Sequence, residues 1–370
     1  MDNKDLNNID SETLRLLLEE EKSVYILDVR PKEQREEWFI PGSNYIDAYN
    51  RLNEGDLSVL DEINIPENTK VVTVCAAGRT SQIAADELRK KGIEAYSLEG
   101  GMKGWSLSWN TAEIEDNNLK IVQVRRTGKG CLSYVLGSGS EAIVVDASLS
   151  PDIYLAVAKQ NGWKIKYVID THIHADHLSR SLALSELSGG TLYMPDQYKL
   201  KYSFSRIKDN DELQFGTSVL RALHTPGHTM DSTTYMIDNK YLLTGDTLFT
   251  NGVGRPDLKA SEAEAAKRAS ILYNSLMKLL GLDYSSIVLP GHISRPVPFD
   301  HQIISMSLKE IKETVSTLHL SEDEFIRVIL SKIPPTPPNY LKIVELNFSG
   351  DLNSVDPKEV EAGANRCAIS

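Results

Sequence analysis

The sequence predicts an α/β protein made of two consecutive α/β blocks. Short apolar runs of strand length alternate with segments that carry apolar residues at helical spacing. A polar, acidic stretch, Asn110 to Asn118, separates the two series. A hydrophobic fraction of 41% over 370 residues is enough for two or three cores.

In the first block, "SETLRLLLEE" reads as a helix with Ser11 as its cap. "VYILDVR" and "KVVTVC" read as strands. "TSQIAADELRKKG" reads as a helix stopped by Gly92, and "EAYSLEGGMKGW" as strand, turn and helix start. The boundaries predicted are 1–110 for this block, 111–118 for a linker and 119–370 for the second block. The second opens with the strands "KIVQVRR", "CLSYVLG" and "EAIVVDA". A helix over "PDIYLAVAKQNG" leads into the strand "KYVID". "SEAEAAKRASILYNSLMKLLG" is a long helix ending at Gly281, and Ser321 with Glu324 forms a capping box for "SEDEFIRVILSKI". The proline cluster in "IPPTPPNYLKIVELN" predicts a stiff loop before a last helix that buries Leu341, Ile343, Val344 and Leu346.

The net charge of −12 argues against nucleic acid and anionic membranes as partners. There is no apolar run long enough to span a bilayer. The acidic start, Met1 to Glu21, lacks the pattern of a secretion or transit signal. Three cysteines in so long a chain make no disulfide framework, so a reducing cytoplasm is the expected setting. Homo-oligomerisation is left open.

Cys75 closes an apolar strand and precedes a helix, with Ala76, Ala77, Gly78, Arg79 and Thr80 between or at the helix start. Such a loop can aim backbone N–H groups at one sulfur, and Arg79 adds positive charge, which together favour a thiolate. Downstream, "THIHADHLS" packs His172, His174, Asp176 and His177 into six residues behind a strand. His228 follows the Pro226–Gly227 turn, Asp246 ends the strand "KYLLTGD", and His292 follows "IVLPGH". Strand ends of this kind are where α/β scaffolds collect functional groups. His224, His301 and His319 have no motif and read as ordinary residues. All seven candidates could hold two zinc ions that activate a water. Alternatively His172, His228 and Asp246 alone form the two-histidine, one-carboxylate face of a mononuclear iron(II) site. Spacing does not choose between them.

"LDVRPKEQREEWFIPGSNYID", "CAAGRT" and "LEGGMKGW" resemble the rhodanese family of sulfurtransferases, which implies that Cys75 carries the transferred sulfur. "HIHADH", "PGH", "GD" and "GH" resemble the metallo-β-lactamase fold, an αββα sandwich. "GDTLFTNGVGRPDL", "GCLSYVLG", "PPTPPNYLKIVELN" and "NRCA" resemble the persulfide dioxygenases, the group of the ethylmalonic encephalopathy protein.

That resemblance implies one Fe(II) per chain on His172, His228 and Asp246. His174, Asp176, His177 and His292 would then orient ligands and hold water. Arg255 would contact the anionic end of the substrate, with Asp257 anchoring it. The implied substrates are O2 and a low-molecular-weight thiol persulfide, glutathione persulfide or another, with sulfite and thiosulfate exchanged through Cys75. Two readings stand beside this one: a di-zinc thioester hydrolase of the hydroxyacylglutathione hydrolase kind with a rhodanese domain, and a persulfide-sensing binding protein. Cys131 and Cys367 are expected as a strand-core residue and a packed tail residue.

Overall fold

The computed structural model describes residues 7–20, 22–197, 200–353 and 355–369. The first six residues and Glu21, part of the acidic start read above, lie outside them, as does Ser370. The N-terminal unit is a parallel five-stranded sheet in the order 8–9, 95–98, 70–74, 24–28, 44–45. The central strands, Val24–Asp28 and Lys70–Val74, are apolar runs buried between helices, as parallel strands must be. The helix Ser11–Glu19 is capped by Asp10, whose carboxylate accepts the Thr13 N–H. The cap is thus one residue earlier than Ser11, because Asp10 and not Ser11 keeps the extended backbone a cap needs.

Two further sheets stack face to face. One has seven strands in the order 205–207, 191–195, 164–169, 141–145, 131–138, 119–126, 110–116. The other has six, in the order 212–215, 218–224, 233–237, 241–245, 287–290, 306–307. Ile121, Leu136, Ile143 and Ile169 from the first meet Phe215, Leu220, Tyr235 and Leu289 from the second in one core. The helices Pro151–Gln160 and Ser181–Ser188 cover the outer face of the seven-stranded sheet. Glu262–Leu280 and Glu322–Ser331 cover the outer face of the six-stranded one. The result is an αββα sandwich behind an N-terminal α/β domain. Ser321 and Glu324 form the capping box the sequence predicts. Among the described residues no helix is long and apolar enough to cross a membrane.

Two expectations are corrected. The acidic segment read as a linker is the edge strand Asn110–Asp116, paired antiparallel with Leu119–Arg126. Its inward residues, Asn110 and Ala112, are buried while Glu113 is exposed. An edge strand with charges on its open side looks polar in sequence for that reason. At the other end, the helix Tyr340–Ser349 is followed by a short helix Pro357–Val360 and a strand Ala368–Ile369. Ile343 and Val344 are buried, but Leu341 is exposed.

The two domains are joined by directed contacts. The Trp38 indole N–H donates to the Thr127 carbonyl at 3.1 Å. The Gly128 N–H donates to the Ser108 carbonyl at 3.0 Å. Buried Arg126 donates through Nε to the Ser106 carbonyl at 2.8 Å.

Candidate metal centre and sulfur-carrier loop

The histidine loop starts where the strand Lys164–Ile169 ends, at the rim between the two stacked sheets. His228 arrives from the turn after Ser218–His224, Asp246 from the end of Tyr241–Gly245, and His292 from the end of Ile287–Pro290. Gly254 is required here, because a Cβ at this position would meet the Asp246 carbonyl oxygen at 2.0 Å.

The structure brings all seven candidates together, and each is at most 3% exposed. Six of them form two groups joined through Asp246, while His174 lies beside Asp146 and Asp170. In the first, Asp246 Oδ2 lies 3.8 Å from His172 Nε2 and 3.5 Å from His228 Nε2. In the second, His292 Nδ1 is 2.5 Å from Asp246 Oδ1, and its Nε2 is 3.0 Å from Asp176 Oδ2. His177 Nδ1 is 3.1 Å from Asp176 Oδ1.

The outer partners set the tautomers. A carbonyl oxygen only accepts, so the contact of 2.8 Å from His228 Nδ1 to the Arg255 carbonyl puts the proton on Nδ1. Nε2 then keeps its lone pair. The Thr171 hydroxyl donates its one proton to Asp146, at 2.9 Å. It must therefore accept from His172 Nδ1 at 2.9 Å, which leaves His172 Nε2 a lone pair as well. His174 turns Nε2 toward Asp146 Oδ1 at 3.2 Å. Among the described residues, His172 Nε2, His174 Nδ1, His177 Nε2 and Asp246 Oδ2 are buried without a hydrogen-bond partner. Orphaned acceptors on this scale are costly in an interior unless something takes them up. Their convergence fits a cation.

Charge supports the same conclusion. Burial, with His174 beside it, pushes His172 well below the ordinary imidazole range, so the ring is neutral. Burial works to raise Asp246, but His292, His172 and His228 outweigh it and hold the carboxyl well below its ordinary range. Burial also disfavours charge on His177, yet Asp176 and Cys131 raise it to about 10. A cation at that corner would have to displace a proton.

Several contributors lie in segments quoted above for the family resemblance but had no role at the site assigned to them. Cys131 joins Asp176, His177 and His292 in one group of closely spaced donor atoms, and Cys367 joins Asp246 and His292 in another. Both are buried where expected, in a strand and in the tail, and both also lie against the candidate ligands. Cys131 sits at the first position of its strand, where the side chain reaches the rim, and its Sγ is 3.5 Å from Asp176 Oδ2. The C-terminal tail adds Asn365, which donates to Asp176 Oδ2 at 2.9 Å. Asn347 donates to the carbonyls of His174 and His177, both at 2.9 Å.

Arg255 is tied down by protein groups. It is fully buried and forms a two-pronged pair with Asp257 at 2.8 and 2.7 Å. It also donates to the carbonyls of Pro335 and Arg366. These contacts hold the loop under His228, with Asp257 anchoring the guanidinium as expected.

Cys75 is 2% exposed at the foot of its loop. Its Sγ accepts from the Gly78 N–H at 3.1 Å and the Ser81 hydroxyl at 3.3 Å. The expected ring of several backbone donors is therefore one N–H and one hydroxyl, and Ser81 carried no sequence signal. The loop carbonyls of Cys75 and Ala76 accept from the Met102 and Lys103 N–H groups at 2.8 and 3.0 Å. That approach requires Gly101, where a Cβ would lie 2.2 Å from the Cys75 carbonyl oxygen. Arg79 is exposed, and Thr80 is buried against Asn53 at 3.2 Å.

The metallo-beta-lactamase superfamily profile matches residues 126–292, and the rhodanese-like domain profile matches residues 10–108. The mitochondrial persulfide dioxygenase ETHE1 of Bos taurus is 30% identical over 216 residues, covering 56% of this chain and 80% of that protein. A hydroxyacylglutathione hydrolase of Rhodospirillum rubrum is 29% identical over 184 residues, covering 49% of this chain and 64% of that protein. The crystal structure of ETHE1 from Myxococcus xanthus superposes with a TM-score of 0.51 at 26% identity, covering 65% of this chain and 96% of that one. With a rhodanese-like domain in front of the αββα sandwich, the chain belongs to the persulfide dioxygenase family of the metallo-beta-lactamase superfamily.

Proposed function

We propose that this chain is an iron(II)-dependent persulfide dioxygenase that also transfers sulfane sulfur through Cys75. The observation that carries the reading is the group His172, His228 and Asp246, whose buried donor atoms all lie within 4.8 Å of one another. Two imidazoles and a carboxylate leave adjacent positions free, as a reaction between two small molecules needs. Likeness to the persulfide dioxygenases supports the same choice.

The metal would supply the redox change that oxygenation of sulfur requires and that zinc lacks. The protein does the rest. The Arg255 carbonyl and Thr171 fix the lone pairs of His228 and His172. Burial keeps water from competing at the open side, since no candidate ligand is more than 3% exposed. His174, Asp176, His177 and His292 hold and orient the surrounding polar groups. The overall change is RSSH + O2 + H2O → RSH + sulfite + two protons. Cys75 then exchanges sulfane sulfur among persulfide, sulfite and thiosulfate.

A second reading has its own support. The group Cys131, Asp176, His177 and His292 could hold another ion, and hydroxyacylglutathione hydrolases are among the relatives. A di-zinc hydrolase would use both groups. Anaerobic purification, metal quantification and oxygen uptake with glutathione persulfide test the choice. About one iron per chain and uptake of O2 support the dioxygenase. Two zincs without uptake support the hydrolase.

A further inference from the structure

A cavity of about 360 Å³ lies against the Cys75 loop, and both domains build it. Ala76 and Ala77 form one side, Trp38 and Met102 another, and the C-terminal residues Ala362, Gly363 and Ala364 the third. The tail is held there firmly. Glu361, just before it, is buried between Arg126 and Arg180 at 2.6 and 2.7 Å and accepts the Leu178 N–H at 2.8 Å. Asn365, just after it, is bonded to Asp176, and Arg366 pairs with Glu37 across the domain boundary. The wall of the Cys75 cavity is therefore the same strand of chain that lines the candidate metal centre.

The cavity's chemistry is selective. Its volume falls in the range that takes organic ligands and far exceeds the need of a small inorganic anion. Trp38, Met102 and the alanines give it apolar surface beside Arg30, Gln34, Glu37 and Lys103, with Glu37 paired to Arg366. Its bordering charges are already matched. Arg30 donates to both Asp28 oxygens, at 3.0 and 2.7 Å, and to the carbonyls of Gln34 and Trp38. Lys103 pairs with Glu359 at 2.5 Å, and Arg79 is exposed and not part of the lining. A dianion such as thiosulfate would lose water there without gaining a free cation.

We propose that this two-domain cavity is the donor site of the sulfurtransferase and that it takes an organic thiol persulfide in preference to thiosulfate. The proposal rests on Cys75 being the sulfur carrier. The Cys75 thiolate attacks the outer sulfur of RSSH, forming an Sγ–S bond. The RS–S bond breaks with its electron pair on the departing sulfur. The proton of the outer sulfur passes to that thiolate, giving RSH and an anionic persulfide on Cys75. No oxidant or reductant is needed.

The test is the rate of Cys75 persulfide formation in the full chain, followed by intact-mass spectrometry with glutathione persulfide or thiosulfate at matched concentrations. The expected rate is about tenfold or more higher with glutathione persulfide. Ala364→Trp should fill the cavity and lower the glutathione persulfide rate about tenfold, with a smaller loss for thiosulfate. Equal or faster loading from thiosulfate in the wild type overturns the proposal, as does an equal loss with both donors in the variant. If the variant does not fold, the wild-type ratio decides. Iron content and oxygen uptake report on the dioxygenase separately, so either claim can fail alone.

Discussion

Arg126 and Glu361, both wholly buried, meet at 2.6 Å across 235 positions of sequence. Arg126 also binds the Ser106 carbonyl of the first domain, and Glu361 binds Arg180 and the Leu178 N–H of the histidine loop. One ion pair thus ties together the first domain, the tail and the candidate metal loop. Removing one partner of such a pair leaves a buried charge uncompensated. Arg126→Met should therefore cost about 3–5 kcal/mol, measured by urea denaturation.

The same group sets an acid limit. Burial works to raise the Glu361 carboxyl, but Arg126 and Arg180 outweigh it and hold it at about 2, against an ordinary 4.5. A depressed carboxyl stabilises the fold above its unfolded value and loses that contribution as pH falls through the folded value. The stability difference between wild type and Glu361→Gln should be constant above about pH 4.5 and shrink by about 3 kcal/mol toward pH 2. A difference flat across that window would show that Glu361 is not the titrating group.

Asp246→Ala removes the carboxylate shared by the two donor groups. Iron content should fall below about a tenth of wild type, and oxygen uptake with it, because His172, His228 and His292 lose their common partner. Cys75 persulfide formation should continue. Iron retained in the variant, measured by mass spectrometry of the metal, means the ion sits elsewhere.

Cys75→Ser should abolish sulfur transfer while most oxygen uptake with added glutathione persulfide remains. The two reactions then run on separate residues, as proposed. Loss of both activities in a folded, iron-loaded variant would contradict that independence.

Arg255→Lys separates a structural from a substrate role. Lysine cannot reproduce the two-pronged bond to Asp257 together with two carbonyl contacts. Stability should fall by about 3 kcal/mol, with some iron lost, because the Arg255 carbonyl orients His228. The KM for glutathione persulfide in the remaining loaded enzyme should move less than about twofold. A large KM change with unchanged thermal stability would restore the substrate contact.

The parts legible in sequence were those carried on contiguous chain. The Cys75 loop and the His172–His177 cluster each sit directly after a buried strand, so a local pattern marks them. His228, Asp246 and His292 were marked by glycine turns. Cys131, Asn347 and Asn365 lie in stretches that carry the family resemblance, but they and Ser81 and Glu361 had no role assigned, because their side chains matter only through partners that the folded chain brings near. The internal contacts of Arg255 were not legible because a loop arginine looks the same whether it faces solvent or fills a buried fork. The edge strand Asn110–Asp116 was misread because only one side of it is covered.

That edge strand governs how the chain can be divided. Cleavage anywhere in 111–118 would leave Leu119–Arg126 with a bare row of amide and carbonyl groups along much of its length. Such an open margin recruits other chains. A separately produced C-terminal half that starts at Leu119 should therefore self-associate, whereas one that starts just before Asn110 keeps its native, charge-bearing edge strand.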